Sequence, residues 1–143
     1  MIRFLAFEKR FGDHLAVAGL DLEVRPAEVV ALLGPNGSGK TTSLKAAAGL
    51  VRPSRGAVLL GEPGRPAGEP AARRAISFLP QKVAFPEALS GREVMTFYRR
   101  LRGASAARAD ELLRLASLNG AAERAVGTYS GGMVQRLGLA VAA

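Results

Sequence analysis

The sequence predicts an α/β fold in which strands and a glycine-rich loop come first and a helical half follows. Three observations predict it. Near the amino terminus apolar residues alternate with polar ones, as in strands with one solvated face. Residues 29–33 then form an unbroken apolar run, Val29-Val30-Ala31-Leu32-Leu33, followed at once by Gly34-Pro35-Asn36-Gly37-Ser38-Gly39-Lys40-Thr41-Thr42. From about residue 86 onward the apolar spacing changes to the three-and-four pattern of helices.

Each element follows from its residues. Residues 2–7 alternate loosely, and residues 15–24 alternate clearly at their end, with Leu20, Leu22 and Val24 against Asp21 and Glu23. They predict an antiparallel pair with one solvated face. Between them Lys9-Arg10-Phe11-Gly12-Asp13 reads as a turn, and His14 as a surface residue of that turn. Pro26-Ala27-Glu28 breaks the chain before residues 29–33, whose lack of polar alternation predicts a strand covered on both faces. The helix from about Lys40 places Leu44, Ala47, Ala48 and Leu50 at helical spacing and stops near Pro53. A strand is expected at residues 57–60, a Gly- and Pro-rich loop at 61–70, and a second apolar strand at Ala75-Ile76-Ser77-Phe78-Leu79, ended by Pro80-Gln81. Ser90-Gly91-Arg92-Glu93 has capping-box spacing and opens a helix with Val94, Phe97, Tyr98 and Leu101 on one face. A further helix from about Ala106 to Leu118 uses Leu112, Leu115, Ala116 and Leu118 and closes at Asn119-Gly120. Ser130 is a natural N-cap for the last helix.

The chemistry concentrates at residues 34–42. They fit G-x-x-x-x-G-K-[ST] between an apolar run and a helix, the context in which backbone N–H groups cradle phosphate. Lys40 is expected to reach the outer phosphates of a nucleotide as a point charge, and the Thr41 hydroxyl to coordinate the Mg²⁺ that bridges them. Phe11, an aromatic before this loop, is a candidate base platform as well as a candidate core residue. Gln81 stands just beyond an apolar run, on the edge where α/β sheets hold ligands. Gly131 and Gly132 follow Ser130 at a helix start, where open N–H groups suit an anion; an ordinary capped helix is the alternative.

Composition narrows the classes. A chain of 143 residues with 48% hydrophobic and 22% charged residues is globular and of single-domain size. No apolar run is long enough to cross a bilayer, and the amino terminus lacks the pattern of a signal peptide, so a cytoplasmic location is expected. With no cysteine and one histidine, thiolate and histidine metal clusters are excluded. The net charge of +8 is dispersed along the chain, which attracts polyanions without a recognition code.

The order of these pieces resembles the front part of an ATP-binding cassette (ABC) transporter ATPase. Such domains carry an aromatic base-stacking loop, a Walker A loop, a glutamine loop and a serine-glycine-glycine signature, matched here by Phe11, residues 34–42, Gln81 and Tyr129-Ser130-Gly131-Gly132-Met133. The signature departs from the common leucine-first, glutamine-last form, and Gln135-Arg136-Leu137 continues as the family does. The resemblance implies a P-loop NTPase core with N-terminal antiparallel strands and a helical signature subdomain. Its implied domain is a partial nucleotide-binding domain over 1–143, divided into a core at 1–85 and a helical part at 86–143. ATP and Mg²⁺ are the implied ligands. Two such domains would stack head to tail, Ser130, Gly131 and Gly132 contacting the partner's ATP. Gln81 would touch Mg²⁺ or the attacking water and signal to a transmembrane permease subunit, placing the protein at the inner face of the membrane. More narrowly, Ser77-Phe78-Leu79-Pro80-Gln81 with residues 85–93 resembles ABC subunits associated with copper-site assembly of nitrous-oxide reductase.

The family's next parts are a Walker B strand ending in aspartate and glutamate and a histidine switch loop, and no Asp or Glu follows Glu123. The expectation is therefore of a product whose longer form is an ATP hydrolase, the C-terminal part of the sheet being missing here. The alternative is an ATP-binding fragment without hydrolysis. A soluble ABC protein acting on nucleic acid is disfavoured by the lack of a second cassette and of a long arm insertion.

Overall fold

The alternating residues at the amino terminus fold as a hairpin. β1 (Ile2–Phe11) runs antiparallel to β2 (His14–Val24), pairing Ile2 with Val24 and Phe11 with His14. Gly12, at φ 56°, supplies the left-handed conformation that a turn of only Gly12 and Asp13 needs. The structure is a computed structural model describing all residues, Met1–Ala143. Both strands are longer than the alternation predicts: Phe11 ends a strand rather than lying in a turn, and His14 begins one, exposed.

On its other side β1 pairs with β3 (Arg55–Leu60), and β3 with the short β4 (Arg65–Pro66), so the antiparallel sheet has the order β2-β1-β3-β4. β1 is bulged at Ala6, whose φ is 43° and whose N–H donates to Asp21 Oδ1 at 2.7 Å. In a regular strand residues three apart face opposite sides; the bulge turns both Phe4 and Phe7 inward, their rings 5.6 Å apart. α1 (Lys40–Ala47) adds Ala46 and Ala47 to this core, while Leu44 and Leu50 are about half exposed, contrary to the expected apolar face. Small alanines are the residues that allow a helix backbone close to a core.

Two expected strands are absent. Residues 29–33 and 75–79 belong to no strand, and Val29 and Leu33 are 100% and 90% exposed. A strand exists only where a neighbour supplies ladder hydrogen bonds, and no segment of the sheet pairs with either run. The loop expected at 61–70 contains β4 and leads into the one-turn helix α2 (Pro70–Arg73).

The chain divides into two units, Met1–Phe78 and Leu79–Ala143, each with its own apolar cluster. The second is helical: α3 (Gly91–Arg102), α4 (Ala106–Leu115) and α5 (Gly131–Ala142), with short 3₁₀ turns at Asn119–Ala121 and Val126–Thr128. α3 starts in the expected capping box, in which the Ser90 hydroxyl accepts the Glu93 N–H and Glu93 accepts the Ser90 N–H. Its buried face differs from the expected one. Val94 and Met95 are buried and Tyr98 half-buried, while Phe97 and Leu101 are exposed. The pattern at 94, 97, 98 and 101 is helical whichever side faces the core, and the flexible Met95 fills the cluster instead. α4 ends at Leu115, three residues before the expected Leu118; Ser117 turns left-handed at φ 55°, and Leu118 enters the core from beyond the helix. No helix is long and apolar enough to cross a membrane.

Candidate functional site

The glycine-rich loop of the first unit, from Gly34 to Gly39, leads directly into α1. Gly34, Gly37 and Gly39 have φ of 152°, 84° and 86°, values that side chains with a Cβ rarely adopt. Gly39 is also confined by packing: a Cβ there would lie 2.8 Å from Val17 Cγ2 and against the Ala16 carbonyl. This contact fastens the loop to β2. At the helix start Ser43 N–H is the first to close a turn, onto Gly39 O at 2.8 Å. No side chain caps this end and no acidic residue stands in its first turn, which leaves positive helix-end N–H groups at the loop. Lys40 Nζ donates to the Gly34 and Pro35 carbonyls, both at 2.7 Å, and approaches Ser38 Oγ at 3.4 Å. The ammonium is held over the mouth of the loop by acceptors of the loop itself. Asn36, Gly37, Ser38 and Thr41 are exposed, and Thr42 is half-buried.

Phe11 lies in the same unit, half exposed at the end of β1, next to the hairpin turn. Gln81 and Ser130-Gly131-Gly132 lie in the second unit. Gln81 is exposed, and its backbone carbonyl accepts a 3.3 Å hydrogen bond from Gln135 Nε2 of α5. Ser130 caps α5, its hydroxyl accepting the Met133 N–H at 3.3 Å, and Gly131 and Gly132 are exposed in the first turn. α5 thus presents open N–H groups at its start and carries the Gln135 side chain that holds the Gln81 backbone.

Two supporting residues were named in the sequence without a role of their own. Tyr129, just before Ser130, is buried, and its hydroxyl donates to Ala121 O at 2.7 Å. Burial pushes its phenol above the ordinary value of 10.0. Gly91 is the counterpart, since a Cβ there would meet the Tyr129 hydroxyl. Gln135 is the other. The only signal for either was its place beside the signature, which says nothing of what it touches.

No group of three His, Cys, Asp or Glu side chains is arranged to hold a metal ion. Thr41, exposed beside the loop, offers a neutral hydroxyl oxygen, a donor type suited to a magnesium ion that keeps most of its waters.

The family of ABC transporter proteins matches residues 17–143. The chain is 44% identical over 139 residues to the uncharacterized ABC transporter ATP-binding protein YxlF of Bacillus subtilis, a match covering 94% of this chain and 45% of that protein. It is 42% identical over 144 residues to the Nod factor export ATP-binding protein I of Burkholderia thailandensis, covering 97% of this chain and 47% of that one. The chain spans about half the length of these curated relatives. Among solved structures, the dimeric post-hydrolysis state of the ATP-binding cassette MJ0796 bound to ADP and Pi superposes with a TM-score of 0.85 at 26% identity, covering 99% of this chain and 68% of that one.

Proposed function

The chain belongs to the ABC transporter family, and from that premise we propose that it is the ATP-binding part of a transporter subunit that binds Mg-ATP and, in a longer form, hydrolyses it to drive transport. One observation carries the reading: residues 34–42 surround a helix end free of capping side chains and acidic neighbours, with Lys40 drawn over it. Such a helix end, with an ammonium beside it, suits a polyphosphate. Gly34, Gly37 and Gly39 give the loop its curvature, backbone N–H groups take the phosphate oxygens, and Lys40 exchanges its loop carbonyls for the outer phosphates. Thr41 would hold the magnesium ion, which offsets phosphate charge when bound. Phe11 would carry the base.

Ser130, Gly131 and Gly132 supply a second set of donors, exposed at the start of α5. In this proposal they serve the nucleotide of a second cassette stacked head to tail. The MJ0796 structure, a dimer bound to ADP and Pi, supports that reading by similarity. Gln81, held through Gln135, would pass the state of the site to a permease subunit at the inner face of the membrane.

A second reading applies to these 143 residues alone: binding without turnover. It is favoured by the lack of any group of three His, Cys, Asp or Glu side chains placed to hold a metal ion. One preparation separates the two. Equilibrium binding of Mg-ATP is expected for the wild type and is expected to vanish in Lys40→Ala; unchanged binding in that variant would overturn the phosphate-loop reading. Phosphate release by the same preparation, absent from Lys40→Ala, would overturn the binding-only reading.

A further inference from the structure

Lys9 and Phe11 stand two residues apart on β1, and Lys9 Nζ lies 4.9 Å from the centroid of the Phe11 ring. An ammonium at this distance over an aromatic face is drawn to the negative ring quadrupole. Lys9 forms no ion pair with a carboxylate; the chain's four ion pairs involve only arginines. Its charge is therefore not neutralised by another side chain. Phe11 itself remains 51% exposed, so the ammonium occupies part of the ring and leaves the rest to solvent. The same hairpin is fastened to the phosphate loop, because Gly39 packs on Ala16 and Val17 of β2.

We propose that Lys9 is a positioning residue of the nucleotide site, holding the Phe11 ring by one face and leaving the other to stack on a purine base. The proposal rests on the reading that Phe11 carries the base. Two physical effects follow from the arrangement. The contact restricts an exposed aromatic side chain that otherwise loses rotamer freedom when the nucleotide binds. The cation also draws ring electron density toward itself, so the opposite face repels an electron-rich base less. Neither effect touches the phosphates. Lys9 should thus change affinity for a nucleotide and not for a bare polyphosphate.

The test titrates the full chain with Mg-ATP and, separately, with magnesium tripolyphosphate, which has the phosphates and no base. Lys9→Met is expected to weaken ATP binding about two- to fivefold, the equivalent of an exposed cation–π contact, and to leave tripolyphosphate binding unchanged. Lys9→Arg, which keeps a cation, is expected to return ATP affinity to within about twofold of wild type. In a Phe11→Ala background Lys9→Met should have no further effect on ATP. Equal weakening of both ligands by Lys9→Met would make Lys9 a phosphate contact and overturn the proposal, as would an unchanged ATP affinity. Phe11→Ala separates the two failures. If it leaves ATP affinity at the wild-type value, the base-platform reading falls and takes this proposal with it. If Phe11→Ala weakens ATP binding but Lys9→Met does not, only the role of Lys9 falls. Tripolyphosphate affinity also reports that the phosphate loop of each variant is folded.

Discussion

At the scale of single residues, the positions under most constraint are two glycines whose reasons differ. Gly39 is needed twice, for its φ of 86° and for its contact with Ala16 and Val17. Gly39→Ala is expected to destabilise the first unit by about 1–3 kcal/mol in chemical denaturation and to lower phosphate affinity with it. Gly91 has no unusual φ; it is small because the Tyr129 hydroxyl lies where a Cβ would be. Gly91→Ala is expected to cost about 1–3 kcal/mol through overpacking. Tyr129→Phe alone removes the hydrogen bond to Ala121 O and should cost about 1 kcal/mol. Because the two residues touch, their effects should not add, and the double variant should be more stable than the sum of the single losses. A double-mutant cycle that closes to zero would show the contact to be without consequence. The glycine-rich loop was legible in the sequence because its residues match a motif with fixed residue types at fixed spacing. Tyr129 was legible only as a departure from a pattern, since the partner that explains it lies far away in the chain.

At the scale of elements, helix starts were read well and helix faces less well. The capping box at Ser90 and the cap at Ser130 are local, made within four residues, and local sequence specifies them. Ser90→Ala is expected to lower stability by about 1 kcal/mol. The Ser90 backbone N–H, then its hydroxyl, hold the Glu93 carboxyl below its ordinary value of 4.5. A depressed carboxylate stabilises the fold above that ordinary value, and the contribution is lost as pH falls through the depressed one. The difference in melting temperature between wild type and Glu93→Gln should therefore be full near neutrality and shrink as pH falls below about 4.5. A difference that stays constant into acid would remove the charge from the explanation. Which face of α3 is buried was not local: Phe97 and Leu101 fit the helical period as well as Val94 and Met95 do, and only the surrounding chain selected between them.

At the scale of the whole molecule, two units each gather a core, and the apolar run before the phosphate loop belongs to neither core. Val29 and Leu33 are almost wholly exposed, so replacing them by threonine removes no buried contact in this chain. Val29→Thr with Leu33→Thr is expected to leave thermal stability within about 0.5 kcal/mol and to raise solubility, as measured by melting and by precipitation limit. A loss of several kcal/mol would mean that the run is packed in solution. By itself the sequence determined the α/β class, the amino-terminal hairpin, the glycine-rich loop with its helix, the helix caps and the family, because each is written in neighbouring residues or in a motif with fixed spacing. Tertiary structure alone decided whether an apolar run became a strand, which way a helix faced, and why tyrosine stands before Ser130. Those outcomes depend on a partner across space. Apolar composition states that a residue favours burial; it does not state what will cover it.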